Sequence, residues 1–262
     1  MLEPGFAGGY ARTSVGEVHY LTTGGGATPV MMLHQGGSSS REGIAVASRL
    51  SDHRVVLPDL PGHGNSSPLP GARIEDYARG AVELVDALGI DSLVLFGHHF
   101  GGVVAVETAL LLPGRVRHLV LSNTPFVDAR ARERRTSEAP RSLVRTREDG
   151  SHLAELWRSR SELFQADAPL VNRYIAENLL LGDDVEHAHA AVARYRMEDR
   201  FTGYGGPVTY LHGEADPYIA VEIEEALQGF APERVVRLAA GIGLVDQRAD
   251  DVAEAIREAL RE

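Results

Sequence analysis

The sequence predicts an α/β domain built on a mainly parallel sheet with helices on both faces. Short apolar segments of strand length alternate with segments whose apolar residues recur at helical spacing. Glycine-rich loops follow several of the apolar segments, which is typical of the carboxyl ends of parallel strands. A length of 262 residues, 44% of them hydrophobic, suits one such domain with an insertion.

The elements follow in chain order. An early strand is predicted in VGEVHYLTT, a buried strand at residues 29–33, and a third strand in RVVLPDL. Residues 74–88 have the apolar spacing of a helix, which Gly89 ends. Further strands are predicted in SLVLFG, VRHLVLSN, PVTYLHG and RVVRLAAG. Two more helices are predicted in FGGVVAVETALLL and DDVAEAIREAL.

Residues 125–203 interrupt this alternation, with an arginine-rich start and later aromatic residues and histidines. We interpret them as a helical cap inserted over the sheet, which assigns residues 1–124 and 204–262 to the core domain. The arginines favour a solvated helix face, and an anchor for a carboxylate is the alternative. His187 and His189 point to different faces of a helix and form a poor metal pair. No metal site is predicted.

Composition and charge restrict the partners. A net charge of −11 argues against nucleic acid or an anionic membrane. No apolar run has the length of a membrane span, and MLEPGFAGGYARTS has no signal-peptide pattern, so we expect a cytoplasmic protein. The sequence contains no cysteine and no lysine, which excludes thiolate and Schiff-base chemistry on side chains. We expect a monomer or homodimer that binds a small molecule.

The segment LFGHHFGG, residues 95–102, has the pattern of a nucleophile elbow, the strand–turn–helix that presents a catalytic side chain. HQGG follows the preceding buried strand, and DLPGHG follows the next one. HGEADP places Asp216 after a later strand, and GIGLVDQ precedes the last helix. These five motifs in order, each at an element boundary, are more specific than any one of them.

With these motifs the chain resembles the α/β-hydrolase superfamily, in the capped branch that includes C–C bond hydrolases, epoxide hydrolases, haloperoxidase-like proteins and esterases. The resemblance covers almost the whole chain and implies that Asp216 is the acid of a catalytic triad. It also implies an oxyanion hole formed by the backbone amides of Phe100 and of Gly36 or Gln35. His98, just before the elbow position, is expected to pack against the core.

Two positions depart from the family pattern. The nucleophile position holds His99, and the position of the triad histidine holds Leu244. Because a triad needs both a hydroxyl nucleophile and an imidazole, the sequence argues against ordinary serine esterase chemistry. The departures are complementary, since an elbow side chain projects towards the place that the missing ring would occupy. We therefore expect His99 to contact Asp216 and to act as a general base near neutral pH.

The function expected is that of a cofactor-independent enzyme acting on a small apolar carbonyl or ester-like compound, in a setting such as secondary metabolism. The reaction is hydrolysis, or a lyase, isomerase or cyclase step. We expect His34, Leu244 and Trp157 to line the substrate pocket. Two alternatives stay open, a catalytically silent ligand-binding protein and a cofactor-free oxygenase of the kind that some family members with a His–Asp pair represent.

Overall fold

The computed structural model describes residues 5–26, 28–137 and 145–261. Residues 1–4, which belong to the segment without a signal-peptide pattern, and residues 138–144 of the predicted cap lie outside the described residues. Within them, the predicted α/β architecture is confirmed as an eight-stranded, mostly parallel sheet with helices on both faces.

The sheet places the elbow at its centre. The strands are β1 Phe6–Thr13, β2 Gly16–Thr23, β3 Val30–Leu33, β4 Val55–Pro58, β5 Leu93–His98, β6 Val116–Ser122, β7 Val208–Gly213 and β8 Arg234–Leu238. Their order across the sheet is β1-β2-β4-β3-β5-β6-β7-β8. β2 is antiparallel to β1 and to β4, whereas β4, β3, β5, β6, β7 and β8 run parallel to their neighbours among themselves. Their carboxyl ends, and the loops that follow, therefore meet at one edge.

The helices flank the sheet and cover this edge. They are α1 Ile44–Arg49, α2 Ile74–Ala87, α3 Phe100–Leu111, α4 Ala129–Ser137, α5 Ser151–Leu163, α6 Ala168–Leu181, α7 His187–Val192, α8 Ile223–Phe230, α9 Leu244–Gln247 and α10 Ala249–Arg261. Helices α4 to α7 lie between β6 and β7, in the interval that the sequence assigns to the cap. Among the described helices, none combines the length and the apolar character that crossing a membrane requires.

Two apolar clusters fill the faces of the sheet. One combines side chains of α2 and α3 with the sheet, and the other combines α1 and α10 with its opposite face. α10 shows why the sequence forms such layers, because Val252 and Ile256 are fully buried while Glu254 faces solvent. A third, smaller cluster joins the interval assigned to the cap to the loop before α9 and consists of Phe164, Leu170, Val171, Tyr174 and Ile242.

Strand β1 is an element that the sequence analysis does not predict. Its glycines have the composition of a loop, yet Gly9 pairs in register with Tyr20 of β2. A Cβ atom on Gly9 would lie 2.7 Å from the Tyr20 hydroxyl, so the missing side chain leaves room for the ring across the strand. The hairpin partner, not the local composition, makes this segment a strand.

Candidate active site

His99 occupies a strained turn between β5 and α3. Its backbone has φ 47° and ψ −114°, a conformation that a residue with a side chain adopts rarely and at a cost in free energy. The neighbouring glycines permit the turn. A Cβ on Gly101 would lie 2.3 Å from the carbonyl oxygen of Leu33, and one on Gly97 would lie 2.5 Å from that of Gly101. The chain thus has the geometry of an elbow with an imidazole at its apex.

The His99 ring contacts Asp216 directly. Its Nε2 lies 2.7 Å from Asp216 Oδ2, and the two side chains are 16% and 0% exposed. Oδ2 also accepts a hydrogen bond from Asn123 Nδ2 at 2.8 Å. Oδ1 accepts from the amides of Tyr218 at 2.9 Å and Ile219 at 3.3 Å. The carboxylate is therefore held in one orientation by donors on both oxygens.

These surroundings keep Asp216 ionised. Burial by itself favours the neutral acid, but the attraction and hydrogen bond of His99, with the bond from the Tyr218 amide, lower the pKa of Asp216 below its ordinary value. An ionised carboxylate only accepts hydrogen bonds, so His99 Nε2 carries the proton of this contact. In the neutral ring, Nδ1 is then the basic atom, and no described residue bonds to it.

Asn123 is a site residue that the sequence analysis misses. It follows β6 with a φ of 44°, a left-handed conformation that asparagine tolerates better than most residues. Its Oδ1 accepts from the amide of Gly213 at 2.7 Å while its Nδ2 donates to Asp216. Asn123 thereby connects the end of β6 to the end of β7. An asparagine directly after a buried strand is the signal that could have identified it.

The loop after β3 changes one part of the predicted oxyanion hole. The amide of Gln35 donates to Glu42 Oε2 at 2.9 Å, and the Gln35 side chain donates to Oε1 at 2.6 Å. The Gln35 amide is therefore already bonded and does not serve as an oxyanion donor. The amides of Gly36 and Phe100 bond to no acceptor in the described part of the chain. An oxyanion hole made by these two amides stays a prediction.

Helix α6 of the cap holds the same loop from above. Tyr174 Oη donates to the carbonyl oxygen of Gly36 at 3.0 Å, and Asn178 Nδ2 donates to that of Gly37 at 2.8 Å. Both bonds end on carbonyl oxygens. They therefore hold the loop in place without engaging the amide N–H of Gly36. Helix α6, in the interval that the sequence assigns to the cap, thus contributes to the geometry of the loop.

A cavity of about 310 Å³ lies above His99, a volume that suits a small molecule. Its apolar lining includes Pro125, Leu163, Phe164, Tyr174, Val192, Ile219 and Ile242. Its polar lining includes Gln35, Arg135, Arg160, Glu186, His189 and Glu222. Arg135 and Glu222 form a two-pronged ion pair at 2.7 and 2.5 Å, so their charges largely cancel.

Three residues predicted to line the pocket lie outside this cavity. His34 is buried under the loop, where its Nε2 accepts from the Leu60 amide at 2.9 Å and its Nδ1 donates to Gln35 O at 2.8 Å. Leu244 is fully buried in the apolar cluster that contains α10. Trp157 of α5 is 44% exposed. Motif position and residue type do not determine which way a side chain points, and here packing directs all three elsewhere.

His98 has the structural role that the sequence predicts. It is fully buried, its Nδ1 lies 2.9 Å from Ser122 Oγ, and its Nε2 donates to Ile242 O at 3.1 Å. Burial, reinforced by the neighbouring His99, lowers the pKa of His98 to about 3, so the ring is neutral. The ring connects the elbow to the loop that precedes Leu244. Across residues 5–26, 28–137 and 145–261, no three potential metal-ligating side chains are grouped.

Comparison with known proteins agrees with this geometry. The family model described as alpha/beta hydrolase fold matches residues 28–241, most of the chain. This chain belongs to the α/β-hydrolase fold family. The predicted superfamily is therefore confirmed. The enol-lactonase from Burkholderia xenovorans has a similar structure, with a TM-score of 0.78 and 22% identity over 97% of this chain and 100% of that chain. At this level of identity the likeness shows the α/β-hydrolase fold alone.

Two curated relatives of this chain are named as hydrolases. A 2-hydroxy-6-oxononadienedioate/2-hydroxy-6-oxononatrienedioate hydrolase of Dechloromonas aromatica is 38% identical over 113 residues, which are 40% of this chain and 39% of the relative. The match thus spans about two fifths of that relative's length. An (E)-2-((N-methylformamido)methylene)succinate hydrolase of Acinetobacter baylyi is 22% identical over 207 residues, 78% of each chain.

Proposed function

We propose that this α/β-hydrolase is a cofactor-independent enzyme that uses His99 and Asp216 as a general-base dyad on a small, largely apolar carbonyl or ester-like compound. The observation that carries the proposal is the 2.7 Å contact between His99 Nε2 and Asp216 Oδ2 beneath a cavity of about 310 Å³. The elbow apex lacks the hydroxyl that forms a stable acyl intermediate. An imidazole there can still move a proton.

The same geometry supports a sequence of roles. Asp216 fixes the ring by accepting from Nε2, which leaves Nδ1 of His99 to take a proton from carbon or from water. The amides of Gly36 and Phe100 bind the oxygen on which negative charge develops. Removal of a proton from water leads to hydrolysis, the reaction class in the names of the relatives. Removal of a proton beside a carbonyl leads to a lyase, isomerase or cyclase reaction.

The test measures proton abstraction without the natural substrate. Acetophenone, a small aryl ketone that suits the cavity, is incubated with the protein in D2O, and the loss of its methyl-proton signal is followed by NMR. We expect the wild type to accelerate the exchange over buffer and His99→Ala to lower that acceleration about 100-fold or more, since a general base contributes a factor of this size. Asp216→Asn removes the ionised partner of the ring and lowers it at least about tenfold.

His53→Ala is the matched control, because His53 pairs with Asp52 on the surface and does not line the cavity. Exchange that is as fast in His99→Ala as in the wild type contradicts the dyad. A wild type that binds the ketone without exchanging its protons favours the silent ligand-binding alternative. A product that forms only in the presence of oxygen identifies the oxygenase. The cytoplasmic location, the setting in secondary metabolism and the monomeric or dimeric state stay predictions.

A further inference from the structure

The cap contributes a second histidine–carboxylate pair to the cavity. His189 of α7 has its Nδ1 3.1 Å from Glu186 Oε2, and both residues line the cavity above His99. Because Nδ1 is engaged with Glu186, Nε2 is the ring atom left to meet a ligand. The cavity is therefore bounded by two imidazoles, each oriented by a carboxylate through one nitrogen.

Helix α7 lies against the predicted oxyanion hole. A Cβ atom on Gly36 would be 3.1 Å from the Cβ of Ala188 and 3.7 Å from that of Phe100, so Ala188 sits beside the two residues whose amides would bind an oxyanion. His63 stacks on Phe100 with ring centroids 5.7 Å apart. Burial above all, then the neighbouring His34 and only last His189, lower the pKa of His63 to about 3. His189 follows Ala188 on α7 and lines the same cavity as Gly36 and Phe100.

We propose that His189, oriented by Glu186, is a second catalytic residue that gives a proton to the carbonyl oxygen of the substrate while His99 removes a proton from the adjacent carbon. The inference rests on the proposed function and narrows it. The substrate class becomes an enolisable ketone or similar carbonyl compound. The reaction becomes a proton transfer of the isomerase or lyase type.

The step balances in atoms and charge. The C–H bond beside the carbonyl breaks, its proton goes to Nδ1 of His99, and its electron pair forms the C=C bond. The π pair of the carbonyl moves to oxygen, which takes the proton of Nε2 from protonated His189. The positive charge passes from His189 to His99, and the neutral His189 keeps its Nδ1 proton for Glu186. Transfer of the proton from His99 to a different carbon, with return of the enol O–H proton to Nε2 of His189, completes an isomerisation and restores both residues.

His187 is a matched control on the same helix. It precedes His189 by two residues, pairs with Asp184 at 3.6 Å and is exposed to a similar extent, 37% against 39%. It does not line the cavity, because residues two apart on a helix face different directions. The two histidines differ in the surface that they face.

The experiment compares wild type, His189→Gln, Glu186→Gln and His187→Gln in two assays. The first is the acetophenone exchange, which we expect to fall about 10- to 100-fold in His189→Gln and less in Glu186→Gln. The second is the absorbance of bound 4-nitrophenol, whose ionised form resembles an enolate. His189→Gln removes a proton donor that stabilises the ionised phenol. We therefore expect the acid dissociation constant of the bound probe to fall about tenfold, which raises its pKa by one unit. The other charged or titratable groups facing the probe are the same in all four proteins: His99, Tyr174, Arg135, Arg160, Tyr218 and Glu222.

The outcomes separate this inference from the proposed function. Exchange and probe ionisation that are the same in His189→Gln as in the wild type overturn the inference and leave the role of His99 intact. A probe that does not bind the wild type also overturns it. Absence of exchange in the wild type, with probe ionisation that depends on His189, contradicts the base while supporting the place of His189 on the oxyanion side. His187→Gln is expected to match the wild type in both assays.

Discussion

The core pair, His99 and Asp216, and the cap pair, His189 and Glu186, join the same chemical groups in different ways. The core pair is separated by 117 residues in sequence, has a contact of 2.7 Å and is 16% and 0% exposed. The cap pair is three residues apart on one helical segment, has a contact of 3.1 Å and is 39% and 21% exposed. Asp216 accepts four hydrogen bonds from the core, including one from His99.

This difference in sequence separation and exposure shows that the sheet positions the core pair, whereas local helical structure positions the cap pair. The core pair depends on the ends of β5, β6 and β7, so its geometry persists only if the sheet edge is intact. The cap pair lies on the six-residue helix α7 and the five-residue 3-10 helix before it, neither of which is part of the sheet, so we expect both residues to be replaceable without disturbing the sheet. In the proposed reaction, the fold holds the base, His99, in a fixed position. The proton donor, His189, lies on a segment that can change in sequence while the sheet stays the same.

The largest effect is expected from breaking the support of the core pair. Gly101→Ala places a Cβ 2.3 Å from the backbone oxygen of Leu33 and 2.4 Å from that of His34, so main-chain atoms must shift. We expect the free energy of unfolding to fall by about 3 kcal/mol or more and ketone exchange to be lost, because backbone at the elbow must shift. Urea denaturation measures the first effect. Gly205→Ala is the control, since nothing lies within 4 Å of a Cβ there. Equal stability of the two variants contradicts the close approach.

An intermediate effect concerns Glu42, the buried carboxyl group that bonds to Gln35 in the loop after β3. Burial, then the charge of Asp246, raises the pKa of Glu42 from 4.5 to about 8, although bonds from Gln35 oppose the shift. Between these values the folded state binds the proton that the unfolded state has lost, so stability decreases as the pH rises from about 5 to 8. The slope from this group is at most about 1.4 kcal/mol per pH unit.

Glu42→Gln cannot ionise, and we expect its denaturation midpoint to fall less steeply over the same pH range. Glu233→Gln changes an exposed carboxylate and serves as the control, with the slope of the wild type. If Glu42→Gln and the wild type show parallel curves, the buried carboxyl group is not protonated in the folded protein.

The smallest effect is expected at an exposed side chain of the cap. Trp157 is 44% exposed and does not line the cavity, so Trp157→Ala should change the dissociation constant of 4-nitrophenol less than about twofold and the free energy of unfolding by less than about 1 kcal/mol. Phe164→Ala is the contrast, because Phe164, at the end of α5, is buried and lines the cavity. We expect it to cost about 3 kcal/mol and to weaken probe binding. If Trp157→Ala strongly weakens probe binding, Trp157 contacts the bound ligand and the prediction is wrong.

Much of the fold could be predicted because its signals are local. The strand predicted at residues 29–33 is Val30–Leu33, and the helix predicted at 74–88 is Ile74–Ala87. Strand β1 could not be predicted in this way, since its glycines are explained only by the Tyr20 ring of the neighbouring strand. Its identity as a strand depends on a partner, not on its own residues.

The candidate site divides along the same line. The order of motifs predicts a contact between His99 and Asp216, because an elbow and an acid loop at the edge of one parallel sheet must converge. The lining of the cavity was not predictable, and His34, Leu244 and Trp157 all point elsewhere. The sequence analysis considered His189 only as one member of a poor metal pair. The spacing of His187 and His189 along a helix shows that they face different directions, but it does not show which of them faces the cavity.

The sequence by itself determined that an imidazole stands at the elbow, that no serine, cysteine or lysine replaces it there, and that a carboxylate follows a later strand. Only the tertiary structure decided that Nε2 of His99 contacts Asp216, that Glu42 accepts the hydrogen bond of the Gln35 amide, and that α7 packs Ala188 beside Gly36 and contributes His189 to the cavity lining. The physical reason is the distance along the chain over which the deciding interactions act. Residue identity and element boundaries follow from neighbouring residues, whereas the atom that a side chain presents to a cavity is set by hydrogen bonds and packing between segments far apart in sequence.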